Sequence, residues 1–279
     1  MSQWIERMTL RGKLSLVGAV AAVMMAVPTA WMLGEAGGNL ARLKHEEAGI
    51  EPAAQLLALA RLTAQHRGLS GGALAADGDA ASRRSAAWAQ LQARAEPARQ
   101  AIASLADASL SQALDRLLQE QHGLAGAVAG RSIAPAASFA RHTQNIDAQL
   151  ALVYQVASSS ELVHHREPGG YFLQDAALNH LPWANELLGR LRGTGAAMLR
   201  EGSLSATDRA QLATLLDRAE QLAAQGHRAL TLAVDAEPSL KQPLAQDMAA
   251  AQRAVADFAL QARQRLIESD GPELQPEQW

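Results

Sequence analysis

The chain has 279 residues, a formal net charge of −3 and no cysteine, and only 4% of its residues are aromatic. This charge argues against a nucleic-acid-binding protein, and the lack of cysteine excludes disulfide bonds and thiolate metal sites. The abundance of Ala, Leu, Gln, Arg and Glu favours long helices packed through small side chains. No run of alternating β-branched residues is present, so we predict an all-α protein.

The first predicted element is an apolar segment. Residues 14–33 contain no charged side chain, and Arg7, Arg11 and Lys13 precede them. Twenty such residues can cross a bilayer core of roughly 30 Å, and the preceding positive charges place residues 1–13 in the cytoplasm. A cleaved signal peptide is the alternative, because "VPTA" ends in small residues. We predict a transmembrane helix that anchors a periplasmic domain in a bacterial inner membrane.

Residues 40–268 have the pattern of long helices separated by short breaks. Helices of this kind fold back antiparallel when the turns are short, so we predict a periplasmic domain of one or two stacked four-helix bundles. Ser205 and Asp208 have the spacing of a helix capping box. We expect residues 269–279 to be a flexible tail or a truncation point. The predicted breaks are at residues 77–79, 105–111, 130–135, 166–170, 201–208 and 236–243.

A weak internal repeat relates residues 66–96 to residues 191–220. In both copies an Arg-Gly pair is followed by a leucine, a turn and a helix that ends in Arg-Ala-Glu. Repeats of this kind indicate architecture, and this one suggests two bundles of related design. Coincidence in an alanine-rich sequence is the alternative.

One arginine lies on an apolar helix face. At 100° per residue, Leu57, Ala64 and Gly68 share an arc that also contains Arg67. Burying an unpaired charge costs several kcal/mol or more, so Arg67 must pair with a carboxylate, reach solvent or bind an anionic ligand. In the second copy of the repeat, Arg192 lies at the margin of the corresponding arc. It lines a pocket there, or it is solvated.

Two segments carry a family resemblance. "EEAGIEPAAQLLALARLTAQHRGLSGGALAADG" and "PGGYFLQDAALNHLPWANELLGRLRGTGAAMLREGSLS" resemble the periplasmic sensor region of bacterial methyl-accepting chemotaxis proteins. Related input domains occur in sensor kinases and diguanylate cyclases. The resemblance implies a homodimeric, membrane-anchored receptor with a cytoplasmic signalling module that the printed sequence does not contain. Similar domains detect organic acids and, in the nitrate- and nitrite-sensing type, inorganic anions.

The resemblance also implies site residues. Arg67 is expected to clamp a carboxylate or another small anion through bidentate hydrogen bonds, with His66 beside it. Arg192, Tyr171 and Asp175 are expected to form a second, weaker group. Tyr171 can donate its hydroxyl, whereas Asp175 can instead pair with an arginine or begin a helix. For Arg67 the alternative is a buried salt bridge in a helix seam.

Other chemistry finds little support in the sequence. His164 and His165 are adjacent, so on a helix they point about 100° apart and cannot chelate one ion. No metal-ligand spacing, phosphate-binding loop or nucleophile elbow is present, so we expect no metal, no cofactor and no enzyme activity. We predict a ligand-sensing domain of a transmembrane receptor, specifically a chemoreceptor. The alternative is a membrane-tethered helical interaction module without a small-molecule ligand, in which Arg67 is neutralised inside the fold.

Overall fold

The computed structural model describes residues 9–75, 77–164, 167–200, 202 and 204–269. Within these ranges all regular structure is helical, which confirms the predicted all-α class. Nearly all of the predicted tail at 269–279 and most of the predicted cytoplasmic segment at 1–13 lie outside the described residues. The main helices are α1 (Leu10–Leu74), α2 (Gly78–Ala103), α3 (Ala108–Ala129), α4 (Pro135–Ser159), α5 (Pro168–Gln174), α6 (Leu181–Arg200), α7 (Ala206–Ala236) and α8 (Lys241–Ala262).

Helix α1 is 65 residues long and continues without a break through the predicted membrane segment. Its apolar part is long and apolar enough to cross a membrane, a test that a signal sequence also passes. The large apolar side chains of this part are exposed, among them Val17, Met25 and Trp31. Met1–His45 and Glu46–Trp279 are separate compact units, and the helices described below belong to the second unit.

Short polar signals start the helices at the predicted breaks. The Asp77 carboxylate accepts hydrogen bonds from the first backbone N–H groups of α2, and Asp107 does the same for α3. Proline occupies the first turn of α4, where its missing N–H costs nothing. Helix α7 has the predicted capping box, in which Ser205 and Asp208 each accept a hydrogen bond from the other's backbone N–H. Each predicted break therefore separates two helices.

A π-helical turn, Asp175–His180, joins α5 to α6 and was not predicted. Pro182 is the second residue after it, inside the first turn of α6. Proline has no N–H and its ring crowds the carbonyl one turn earlier, so an ordinary helix cannot continue through it undisturbed. A widened turn is one way in which a helix accommodates such a residue. Helices α5 and α6 consequently form one continuous helical run.

The first four helices of the second unit form a bundle around one apolar core. This core is built from leucine, isoleucine and valine side chains that are almost fully buried. Burial of each such side chain stabilises the fold by about 1.5–3 kcal/mol. Its largest members are Leu56 and Leu59 from α1, Leu91 and Ile102 from α2, Leu114 from α3, and Leu152 and Val156 from α4.

A second apolar cluster joins α6, α7 and α8, with Leu191, Leu212 and Leu216 at its centre. A third, small cluster connects the two helix groups. It contains Ile146 of α4 and residues of α1, with Trp183 of α6 packed against it. Helix α6 therefore runs alongside α1 and α4, and this seam contains the predicted anion-binding arginines.

Candidate anion-binding cleft

The seam between α1 and α6 contains a cleft of about 890 Å³. Both arginines singled out by the repeat line it, Arg67 from α1 and Arg192 from α6. Phe139 of α4 and Phe258 of α8 also contribute to its wall. The structure therefore brings Arg67 and Arg192 to one cleft, although they are far apart in sequence.

A glycine on the facing helix makes room for the guanidinium group of Arg67. A Cβ atom on Gly189 would lie 2.9 Å from Nη2 of Arg67, which is closer than a real side chain allows. A Cβ atom on Gly68 would lie 3.7 Å from Nη2 of Arg192, an ordinary contact. Each arginine thus lies against a glycine of the opposite helix. The repeat aligns Gly68 with Gly193, whereas Gly189 lies before the second copy, so these contacts do not bear on the repeat, which stays a prediction.

Arg67 is held by a buried carboxylate, Glu186, and both residues are only 2% exposed. Its Nη1 and Nη2 groups donate to Glu186 Oε1 and Oε2 at 2.5 and 3.0 Å. Nη1 also donates to the Thr143 hydroxyl at 2.9 Å, and the guanidinium carbon lies 5.0 Å from the centre of the Phe139 ring. Arg67 is therefore buried on the apolar face of α1. Of the three ways of accommodating its charge that the sequence allowed, a carboxylate partner, solvent or an anionic ligand, the structure shows the carboxylate partner.

The ion pair extends into a four-residue chain. Nε of Arg190, one helical turn after Glu186, donates to Glu186 Oε1 at 2.8 Å. Nη2 of Arg190 in turn donates to the Asp147 carboxylate of α4. Burial raises the pKa of Asp147, and the nearby Glu186 charge acts in the same direction, while Arg190 opposes both. The chain of charges thus ties α1, α4 and α6 together.

Among the described residues, one edge of the Arg67 guanidinium has no hydrogen-bond partner. Glu186 uses the edge formed by Nη1 and Nη2, whereas Nε and the second N–H of Nη2 form the other edge of the planar fork. Nε makes no hydrogen bond to any residue within the described ranges. Arg67 lines the cleft and Glu186 does not, so we expect the edge that Glu186 leaves unused to border the cleft. A planar anion fits two parallel N–H groups of this kind.

His66, predicted to stand beside Arg67 at the ligand, instead points into the first bundle. It is 2% exposed, and its Nδ1 lies 3.0 Å from Nε2 of His142. His142 Nδ1 donates to the Ser138 carbonyl at 2.7 Å, so its Nε2 accepts and His66 Nδ1 is the donor. Consecutive residues on a helix point about 100° apart, which explains why His66 and Arg67 face different sides of α1.

Burial keeps both histidines neutral. Burial, with smaller contributions from His142 and Arg84, lowers the pKa of His66 to about 3. Burial likewise lowers the pKa of His142, although its hydrogen bond to the Ser138 carbonyl acts in the opposite direction. These side chains belong to a buried polar layer of the first bundle, which also contains Thr63 and Ser70 of α1, Gln121 of α3, and Asn145 and Gln149 of α4.

Two further predicted ligand residues, Tyr171 and Asp175, lie away from the cleft. Asp175 accepts hydrogen bonds from Asn179 and His180, at 2.9 and 3.0 Å. Tyr171 is half-exposed, and its ring packs against that of Phe172. Seventeen residues of one helical run separate Asp175 from Arg192, which is about 25 Å at the helical rise. The structure therefore does not assemble the predicted second group.

Glu186 is the residue that sequence reasoning missed. It is separated from Arg67 by 119 positions in the sequence, and no local sequence pattern shows that the two side chains are in contact. One signal was present, because Glu186 and Arg190 have the spacing of a helical ion pair. In the described part of the chain, no group of three or more His, Asp or Glu side chains could hold a metal ion.

Comparison with known proteins identifies the family. A family model described as nitrate and nitrite sensing, NIT, matches residues 58–279. The chain belongs to the NIT family. The matched region contains α1 from residue 58 onward and therefore both arginines of the cleft. The predicted sensing role is confirmed at the level of this family, whereas nothing identifies the chain specifically as a chemotaxis receptor.

The NIT chain also resembles a solved structure, that of the NasR transcription antiterminator. The two share 18% sequence identity with a TM-score of 0.58, over 86% of this chain and 75% of the other. At this identity the similarity establishes the fold alone. No match was found among curated proteins.

Proposed function

We propose that this NIT protein is the ligand-binding part of a membrane-anchored receptor and that its cleft binds a small planar anion, nitrate or nitrite. The observation that supports this most strongly is that Arg67 lines the cleft while, among the described residues, its Nε has no hydrogen-bond partner. Arg192 brings a second guanidinium from the facing helix. The family description supports the identity of the anion.

Nitrate suits this edge for geometric reasons. It is flat and presents pairs of oxygen atoms that can accept from two parallel N–H groups, as a carboxylate does. The Glu186 carboxylate and Thr143 hold the guanidinium in place before the ligand arrives. Since the donor is already ordered, binding does not have to order it, and affinity benefits from this pre-organisation.

We further propose the setting of the receptor. The apolar part of α1 anchors it in a bacterial inner membrane, and the helices after it lie in the periplasm as part of a homodimer. Arg67 stands on the same helix as the apolar part. An anion that binds one packing of α1 against α6 better than another shifts the balance between them, and a tenfold difference in affinity corresponds to about 1.4 kcal/mol. A chemotaxis output is the specific form of this proposal.

A second candidate is a membrane-tethered interaction module without a small-molecule ligand. It predicts that Arg67 is neutralised inside the fold, and the pair with Glu186 has that character. The family match and the unpaired edge of Arg67 favour the sensor.

The test is calorimetric titration of the full chain in lipid nanodiscs with nitrate, in a chloride-free buffer. Arg67→Lys keeps the positive charge but removes the planar fork, so we expect nitrate affinity to fall by about tenfold or more. Arg253→Lys on the exposed face of α8 is the matched control and should bind as the wild type does. Equal binding by Arg67→Lys and the wild type would contradict the proposed site. No nitrate or nitrite binding by the wild type would favour the interaction module.

A further inference from the structure

A phenylalanine ring contacts both helices that form the seam. Phe139, near the start of α4, is half-buried and lines the cleft. The guanidinium carbon of Arg67 lies over this ring, 5.0 Å from its centre. A cation at this distance from an aromatic face is attracted to it. Phe139 therefore packs against the arginine of the proposed anion site and also forms part of the cleft wall.

The same ring packs directly against the α6 backbone at Gly193. A Cβ atom at this position would overlap Cε2 of Phe139 and would lie 3.1 and 3.3 Å from Cζ and Cδ2. Glycine is a poorer helix former than alanine, so a glycine in the interior of α6 is unfavourable for the helix itself. The ring explains its presence, because any larger residue at position 193 would displace Phe139. Gly193 is also the glycine of the second Arg-Gly pair in the sequence.

The hydrogen bonds of Arg67 constrain mainly one edge of its guanidinium. Glu186 and Thr143 both accept from the Nη1 and Nη2 groups. Rotation of the guanidinium plane about the line through these two nitrogens leaves them in place and moves Nε. A ring packed against the guanidinium carbon limits this rotation. Phe139 therefore helps to set the direction in which the Nε edge points.

The direction of this edge matters for a planar anion and not for a spherical one. Nitrate accepts from two parallel N–H groups only when its own plane is aligned with them, whereas bromide has no orientation. Both anions carry one negative charge, so the charged side chains of the cleft attract or repel them alike. Within the described residues, those that line the cleft beside Arg67 are all exposed: Arg61, Arg83, Arg192, Arg200, Asp77 and Asp79.

We propose that Phe139, packed against Gly193, is a positioning residue of the anion site, which orients the Arg67 fork and makes the cleft prefer a planar anion to a spherical anion of equal charge. This inference rests on the proposed anion-binding function. It assigns to the ring a role in ligand selection that acts through Arg67, and it gives Gly193 the role of admitting the ring.

Phe139→Leu tests the proposal, because it keeps an apolar side chain and removes the ring. The full chain in lipid nanodiscs is titrated with sodium nitrate, and bromide affinity is measured by its competition with nitrate. We expect the ratio of nitrate to bromide affinity to fall by about fivefold or more, since only nitrate depends on the alignment of two N–H groups. An unchanged ratio would overturn the proposal, because a purely structural loss lowers both affinities alike. Phe172→Leu on α5, outside the cleft, is the matched control and should keep both affinities.

Gly193→Ala tests the same contact by an independent route that needs only nitrate. The added methyl group displaces the ring, so nitrate affinity should fall as it does in Phe139→Leu. In the double variant the ring is absent, so Gly193→Ala should lower affinity by less than about twofold beyond Phe139→Leu, since residues in contact have non-additive effects. Losses that add in the double variant would overturn the proposal. Gly123→Ala on α3, where a Cβ atom meets nothing within 4 Å, is the control for the exchange of glycine for alanine.

The outcomes separate the inference from the function on which it rests. Nitrate binding that Arg67→Lys weakens, together with an unchanged ratio in Phe139→Leu and Gly193→Ala, would overturn the inference and leave the proposed function standing. Absence of nitrate binding in the wild type would overturn both. A ratio that falls equally in Phe172→Leu would also overturn the inference, because the loss of any aromatic ring would then suffice.

Discussion

Acidification should destabilise the first bundle through its buried histidines. Burial lowers the pKa of His66 from its ordinary value of about 6.5 to about 3, so the folded protein binds fewer protons than the unfolded chain. The contribution of neutral His66 to the free energy of unfolding is therefore fully present above pH 6.5, and it is lost as the pH falls toward 3. The loss is about 1.4 kcal/mol for each pH unit well inside this window. At pH 5, about 1.5 units below 6.5, His66 alone costs the fold about 2 kcal/mol.

The assay is urea unfolding of the full chain, followed by helical circular dichroism between pH 8 and pH 5. His66→Asn retains an N–H that can donate to His142 and cannot titrate, so its free energy of unfolding should depend less steeply on pH than that of the wild type. His142 still contributes, because burial lowers its pKa too. His227→Asn on α7 is the control, because it shows whether the change in pH dependence is specific to His66 or follows from the loss of any histidine. Equal slopes for the wild type and His66→Asn would refute the reasoning.

The other predictions concern the seam and a helix start. Gly189→Ala places a methyl group 2.9 Å from the present position of Arg67 Nη2, so the guanidinium must move. The affinity for nitrate, measured by calorimetry, should then fall by about tenfold. Gly68→Ala is the control, because its methyl group makes only an ordinary contact with Arg192 at 3.7 Å, and this variant should bind nitrate nearly as the wild type does. Affinity that falls equally in both variants would contradict the packing described. Ser205→Ala removes a hydroxyl that caps α7 and should lower the free energy of unfolding by about 1 kcal/mol, measured in urea; an unchanged midpoint would show that the cap does not stabilise the fold.

The fold class was accessible from sequence because its signals are local. Helical composition, polar caps and proline positions act within a few residues, and the helices of the second unit end at the predicted breaks. The capping box of Ser205 and Asp208 is an example, since both partners lie in one turn. The π-helical turn before Pro182 was missed because the proline leaves several local solutions open, and packing decides among them.

The candidate site was only partly accessible. The helical angle of Arg67 shows that it must be neutralised, and this is local information. The identity of its partner is not local, because Glu186 comes from another helix, 119 positions away. His66 was assigned to the ligand by its position in the sequence next to Arg67, although a helix turns neighbours to different sides. The group of Tyr171 and Asp175 with Arg192 failed for a similar reason, since a helical run holds them far apart.

The most direct test of the central claim is an experimental structure of the chain determined with nitrate. We predict a planar anion in the cleft, with two of its oxygen atoms accepting from Nε and Nη2 of Arg67 and with Arg192 on its other side. Glu186 should remain bonded to Nη1 of Arg67. Nitrate bound elsewhere, or an empty Arg67 edge at a nitrate concentration that saturates binding in solution, would contradict this prediction.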